Sequence, residues 1–88
     1  MTRKELYTKL LDLHGDKQII IAIEELSELQ KELCKFLRNN SNHDNMAEEI
    51  ADVEIMLEQM KMYFGIDDEE VEEMKKLKIQ RTQERLGL

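Results

Sequence analysis

Glu24-Glu25-Leu26-Ser27-Glu28, then twenty residues, then Glu49-Ile50-Ala51-Asp52, is the stretch on which the reading of this chain turns. Both acidic groups sit inside helical apolar patterns. Each holds two carboxylates three residues apart, Glu25 with Glu28 and Glu49 with Asp52, so each pair shares one face of its helix. Like charges placed this way repel, and a helix pair that brings the two groups together needs a cation between them. Hard oxygen ligands of this kind suit magnesium, with manganese as a substitute.

The position of each pair relative to its apolar stripe follows from about 100° of rotation per residue. In the first of the two helices Ala22, Leu26, Leu29, Leu33 and Leu37 form the stripe, with Glu25 and Glu28 roughly 80° and 140° to one side. In the second, Met46, Ile50, Val53, Leu57, Met60 and Phe64 form it, with Glu49 and Asp52 roughly 60° and 120° away in the same sense. Antiparallel helices facing along these stripes bring equal offsets to the same side, and a short polar connection makes them antiparallel. Four carboxylates are therefore expected to converge. The axial register asks for an overhang of the first helix by about six residues, or roughly 9 Å, across Asn39–Asn45.

Around this pair the chain reads as one small all-α domain spanning 1-88, a four-helix bundle-like protomer completed by oligomerisation. Eighty-eight residues with 38% charged and 41% hydrophobic side chains, no proline and three glycines suit helices and not disorder. A chain this short buries a limited share of its surface alone. The formal charge of −7 disfavours nucleic acid and anionic membrane as partners. No apolar run approaches a membrane span, no signal core follows Met1–Glu5, and the single Cys34 has no disulfide partner, so a cytoplasmic location is expected.

Thr2 and Glu5 form a capping box ahead of a first helix whose inner side carries Leu6, Leu10 and Leu13, with Tyr7 beside them. His14-Gly15 ends it, His14 favouring the helix dipole, and Asp16 is placed to cap the next helix. That helix opens with Ile19-Ile20-Ile21-Ala22-Ile23, apolar all round, which predicts a subunit interface; burial under the first helix alone is the alternative. Lys31, Glu32, Cys34 and Lys35 read as its wetter side. Lys31, one turn past Glu28, is a candidate phosphate contact against the simpler reading of a surface ion pair. Asn45 or Asp44 is expected to cap the third helix, with His43 in the loop before it, and the methionines Met46, Met56, Met60 and Met62 read as core filler. Ile66, Asp67, Glu70 and Val71 form a capping box and staple that start a fourth helix at Asp68.

The fourth helix changes character along its length. Val71 and Met74 mark an inner face, with Leu77 at its border, and the same face continues as Lys78, Arg81 and Arg85. Three cations directed at a bundle that holds an acidic group can pair with it or clamp a polyphosphate; solvated cations at a helix C-terminus are the plainer alternative.

With these residues in view, the sequence resembles the MazG-like all-α nucleotide pyrophosphohydrolases, whose hallmark is EExxE, a gap, then ExxD. The match is Glu24-Glu25-x-x-Glu28 and Glu49-x-x-Asp52; it covers Ile20 to Phe64, more loosely Lys78 and Arg81, and is nearest the short single-domain forms of phages and Gram-positive hosts. The resemblance implies magnesium-dependent hydrolysis of a nucleoside triphosphate to the monophosphate and pyrophosphate. It implies Glu25, Glu28, Glu49 and Asp52 as metal ligands, and Glu24 as a group that either supports those ligands from behind or helps orient the water. It also implies Lys78 and Arg81 as phosphate contacts, with Arg85 beside them. The family's frequent tryptophan before the glycine is His14 here. Related families cleave phosphoribosyl-ATP or deoxyuridine nucleotides. Two other readings stand beside this one. A di-iron carboxylate bundle wants Glu-x-x-His on two helices, and neither histidine has a glutamate three residues before it. A non-catalytic helical oligomerisation module would use the heptads as its seam and the acids only for solvation.

Overall fold

A computed structural model describes residues 1–88, and they form four helices with no strand. Helix α1 runs Arg3–His14, α2 Lys17–Leu37, α3 His43–Phe64 and α4 Asp68–Leu86. The caps explain most of the boundaries. The Thr2 hydroxyl accepts from the Glu5 amide at 3.1 Å, and the Asp67 carboxylate from the Glu70 amide at 2.8 Å. Helix α3 ends at Gly65, whose left-handed φ of 66° lets the Ile66 amide reach back to the Lys61 carbonyl. Asn39 does the same for α2 at φ 59°, with the Asn40 amide on the Lys35 carbonyl.

Two expected caps fall elsewhere. Asn42, and not Asn45 or Asp44, caps α3: its side chain accepts from the Asn45 amide at 3.1 Å, so His43 is the first residue of the helix instead of a loop residue. Asp16 has helical dihedrals and makes no capping bond; its carboxylate accepts instead from the Tyr63 hydroxyl, tying the α1–α2 corner to the end of α3.

Helices α2 and α3 make the main packing contact, antiparallel, with α1 laid against both. The register is read from two points. Gln18 meets Gln59, and seven residues on in α2 and seven back in α3, Glu25 lies against Asp52. Nine residues further, Cys34 comes level with His43, so α2 overhangs by its last three residues, Lys35–Leu37. The overhang is half of the roughly six residues that the acidic spacing asked for, because Asn42 caps α3 and starts it earlier, at His43, and it leaves Phe36 and Leu37 exposed.

The faces in contact differ from the expected stripes. The inward line of α2 is Gln18, Ala22, Glu25, Leu29 and Glu32, and that of α3 is Glu49, Val53, Met56, Gln59 and Met60. Both helices are rotated from the apolar centre toward their acids. Ala22, Leu29, Met46, Val53 and Met60 therefore turn inward, while Leu26, Leu33, Leu37, Ile50, Leu57 and Phe64 stay exposed. At about 100° per residue these six project to the same side of the α2–α3 hairpin and form one open apolar face. In α1 the buried residue is Tyr7, flanked by half-buried Leu10 and Leu11, whereas Leu6 and Leu13 are exposed. Helix α1 does not cover the isoleucine run either: Ile20, Ile21 and Ile23 remain exposed.

Helix α4 buries none of its side chains. The chain is correspondingly open, with a radius of gyration of 16.1 Å against about 12 Å for a compact domain of this length. Its accessible surface of 7257 Å² exceeds that of a compact 10.5 kDa monomer by about 1,800 Å². No helix is long and apolar enough to cross a membrane.

Candidate metal centre

Because α2 and α3 meet along their acidic edges, the seam between them is polar. Of seven buried residues three are polar, Gln18, Glu32 and Gln59. At the middle of this seam, Glu25, Glu49 and Asp52 each offer a carboxylate oxygen within 4.8 Å of the others. All three are half-buried. Burial pushes the Glu25 carboxyl above the usual carboxylate range, and the charges of Asp52 and Glu49 push it further. Burial raises Glu49 as well, followed by the charges of Asp52 and Glu28. One oxygen of Glu49, Oε2, is fully buried without a hydrogen-bond partner. A shielded carboxylate oxygen without a donor, on a side chain grouped with two other carboxylates, is costly unless something positive meets it. Three converging carboxylates, one of which also carries an unsatisfied oxygen, fit a divalent cation of the magnesium or manganese type.

The remaining candidate residues are placed less tightly. Glu28 is exposed and lies outside the group of three, although its charge is felt at both Glu25 and Glu49. Glu24 is exposed, turned toward the side of α2 that carries Glu28. Lys31 points away from the seam and is exposed. Lys78, Arg81 and Arg85 are exposed on α4 and form no ion pair within the chain. The inner face expected to position them is carried only by half-buried Val71, since Met74 and Leu77 are exposed.

One residue belongs to the seam that the sequence reading put on the wet side. Glu32 is 6% exposed, and its Oε1 accepts from the Lys35 ammonium at 3.2 Å. The signal was there in the spacing: Gln18, Glu25 and Glu32 recur every seventh residue, which keeps all three on one line of the helix. Below the acids the Gln18 amide donates to the Gln59 carbonyl at 2.8 Å, both side chains buried.

Comparison with models of protein families, with curated proteins and with solved structures finds no match for this chain. What it does therefore rests on the residues of the seam.

Proposed function

We propose that the chain is a magnesium-dependent nucleoside triphosphate pyrophosphohydrolase, cleaving the α–β phosphoanhydride to give a nucleoside monophosphate and pyrophosphate. The observation that carries this reading is the convergence of Glu25, Glu49 and Asp52 within 4.8 Å across two antiparallel helices, with a buried Glu49 oxygen left free. Three of the four carboxylates that the EExxE and ExxD pattern, and the resemblance to MazG-like enzymes, call for are in this group; Glu28, the fourth, stands exposed outside it.

In this reading Glu25, Glu49 and Asp52 hold the cation, joined by Glu28 from the next turn of α2. A bound divalent cation neutralises phosphate charge and makes a bound water more acidic. Glu24, beside this group, orients the attacking water and accepts its proton. Lys78, Arg81 and Arg85 offset the charge of the departing pyrophosphate, with Lys31 at the outer edge. Helix α4 makes no extensive contact with its own α2 or α3. Its cations serve the seam of a second copy.

That second copy also accounts for the open apolar face. The surplus of about 1,800 Å² per chain matches what a large, stable homodimer buries from each partner. The same face supports the rival reading, a non-catalytic helical oligomerisation module. The two separate in one experiment: pyrophosphate release from a panel of ribo- and deoxyribonucleoside triphosphates, with and without magnesium, for wild type and Glu49→Gln. The hydrolase reading expects metal-dependent release that Glu49→Gln abolishes while the protein stays folded. An active Glu49→Gln protein, or no release from any triphosphate, sinks it.

A further inference from the structure

All four asparagines of the chain lie in one run, Asn39-Asn40-Ser41-Asn42-His43-Asp44-Asn45, where α2 gives way to α3. All four are exposed, so access to water does not separate them. An asparagine is open to attack on its amide carbon, Cγ, by the backbone nitrogen of the residue that follows it. The attack needs that nitrogen released from hydrogen bonding and the side chain free to swing onto it. Hydrogen bonds single out one of the four. Asn39 is followed by the Asn40 amide, which is held on the Lys35 carbonyl at 2.9 Å, and Asn39 itself sits at φ 59° in the left-handed turn that ends α2. Asn42 has its side chain engaged as the cap of α3, accepting from the Asn45 amide at 3.1 Å. Asn45 lies in the first turn of α3, and the Met46 amide that follows it is held on the Asn42 carbonyl at 3.0 Å. Asn40 has neither protection: its side chain makes no hydrogen bond, and the Ser41 amide, in the stretch between the α2 turn and α3, makes none within the chain.

We propose that Asn40 is a site of self-modification, at which the folded chain deamidates with water as the only co-reactant. The Ser41 nitrogen bonds to Cγ of Asn40, the Cγ–Nδ2 bond breaks, and ammonia leaves with the proton that Ser41 gives up, closing a succinimide ring. Water then opens the ring. Opening at Cγ gives aspartate; opening at the main-chain carbonyl gives isoaspartate, in which the chain runs on through Cβ and Cγ. Both products place a new negative charge at position 40. The isoaspartyl product also lengthens, by one carbon, the connection between the helices that bring Glu25 against Asp52. The inference stands on the loop and does not depend on the hydrolase reading.

The full chain held at mildly alkaline pH, sampled over days and mapped by peptide mass, tests this, with isoaspartate read by enzymatic methylation. Position 40 is expected to gain the mass unit of deamidation first, at least about tenfold faster than Asn45, whose turn of helix must open before it can react. In urea, where the cap and the bond to Lys35 are gone, the four rates draw together. Ser41→Pro removes the attacking N–H, and Asn40→Gln forces the same attack into a larger and slower ring; each is expected to abolish the fast component. Circular dichroism establishes that each variant is helical, and Asn40→Gln keeps the test open should Ser41→Pro not fold. No mass gain, modification first at Asn39, Asn42 or Asn45, or a spread of rates that is the same in urea as in the folded chain overturns the inference. Modification of Asn40 that yields no isoaspartate and persists in Ser41→Pro overturns it as well, since the side-chain amide is then hydrolysed directly and the Ser41 nitrogen has no part.

Discussion

Glu49 shows how a single side chain sets the behaviour of the seam. Its carboxyl and that of Glu25 hold protons more tightly than the usual 4.5, first through burial and then through neighbouring acids. Without metal, the folded chain retains these protons in a range of pH where the unfolded chain has lost them. Their contribution to stability is therefore complete below the usual carboxylate range and is lost as pH rises through the raised values. In chelator, Glu49→Gln should leave melting temperature little changed at acid pH and raise it relative to wild type toward neutrality. Saturating magnesium at neutral pH should reverse that order, because wild type gains ligand linkage that the variant lacks. Thermal melts across a pH series check both signs; a difference that is flat with pH, and indifferent to magnesium, contradicts the site.

At the scale of elements, the seam between α2 and α3 is unusual for what lies in it. Gln18 and Gln59 are buried against each other, and the Gln18 oxygen has no partner of its own. Such a pair contributes little net stability while both members are present and costs much when one is removed. Gln59→Leu should destabilise by about 1–3 kcal/mol, since it strands the Gln18 amide. Replacing both by leucine should come back to within about 1 kcal/mol of wild type. Denaturant melts of the two single variants and the double read this directly, and an additive double variant contradicts the pairing. The sequence carried the existence of all four helices, the Thr2 and Asp67 caps, the start of α4 at Asp68 and the antiparallel approach of the acidic groups. It misled on rotation. Periodicity assumes that the most apolar stripe faces the nearest helix, whereas here leucines at 26 and 33 look outward and acids at 25 and 32 look in. The Asn39–Asn45 run misled on the cap because several adjacent side chains can each accept the same amide, and only the backbone path selects Asn42.

For the molecule as a whole, the outward leucines matter most. Leu57 is half exposed on the open face of the hairpin, and with Ile50 and Phe64 it repeats every seventh residue. In a two-fold interface each position occurs twice. Leu57→Lys should weaken self-association by at least about a hundredfold. Sedimentation over a range of concentrations should show wild type as an oligomer and the variant as a monomer. A wild type that stays monomeric at all concentrations removes the second copy from the argument, and with it the route by which α4 reaches a seam.

Helix α4 carries its stability locally. It has a capped start, acids at Asp68, Glu69 and Glu70, Arg85 in its last turn and a left-handed glycine beyond it, but no buried side chain. An isolated helix of this length is marginal in water. In a dilute monomer its backbone amides are therefore protected against exchange with solvent deuterium only by helix–coil fraying, while those of the α2–α3 seam open with the fold. The last quarter of the chain becomes a reporter of its neighbours: its amides slow when another copy covers them, and trypsin finds Lys75, Lys76, Lys78, Arg81 and Arg85 first when none does.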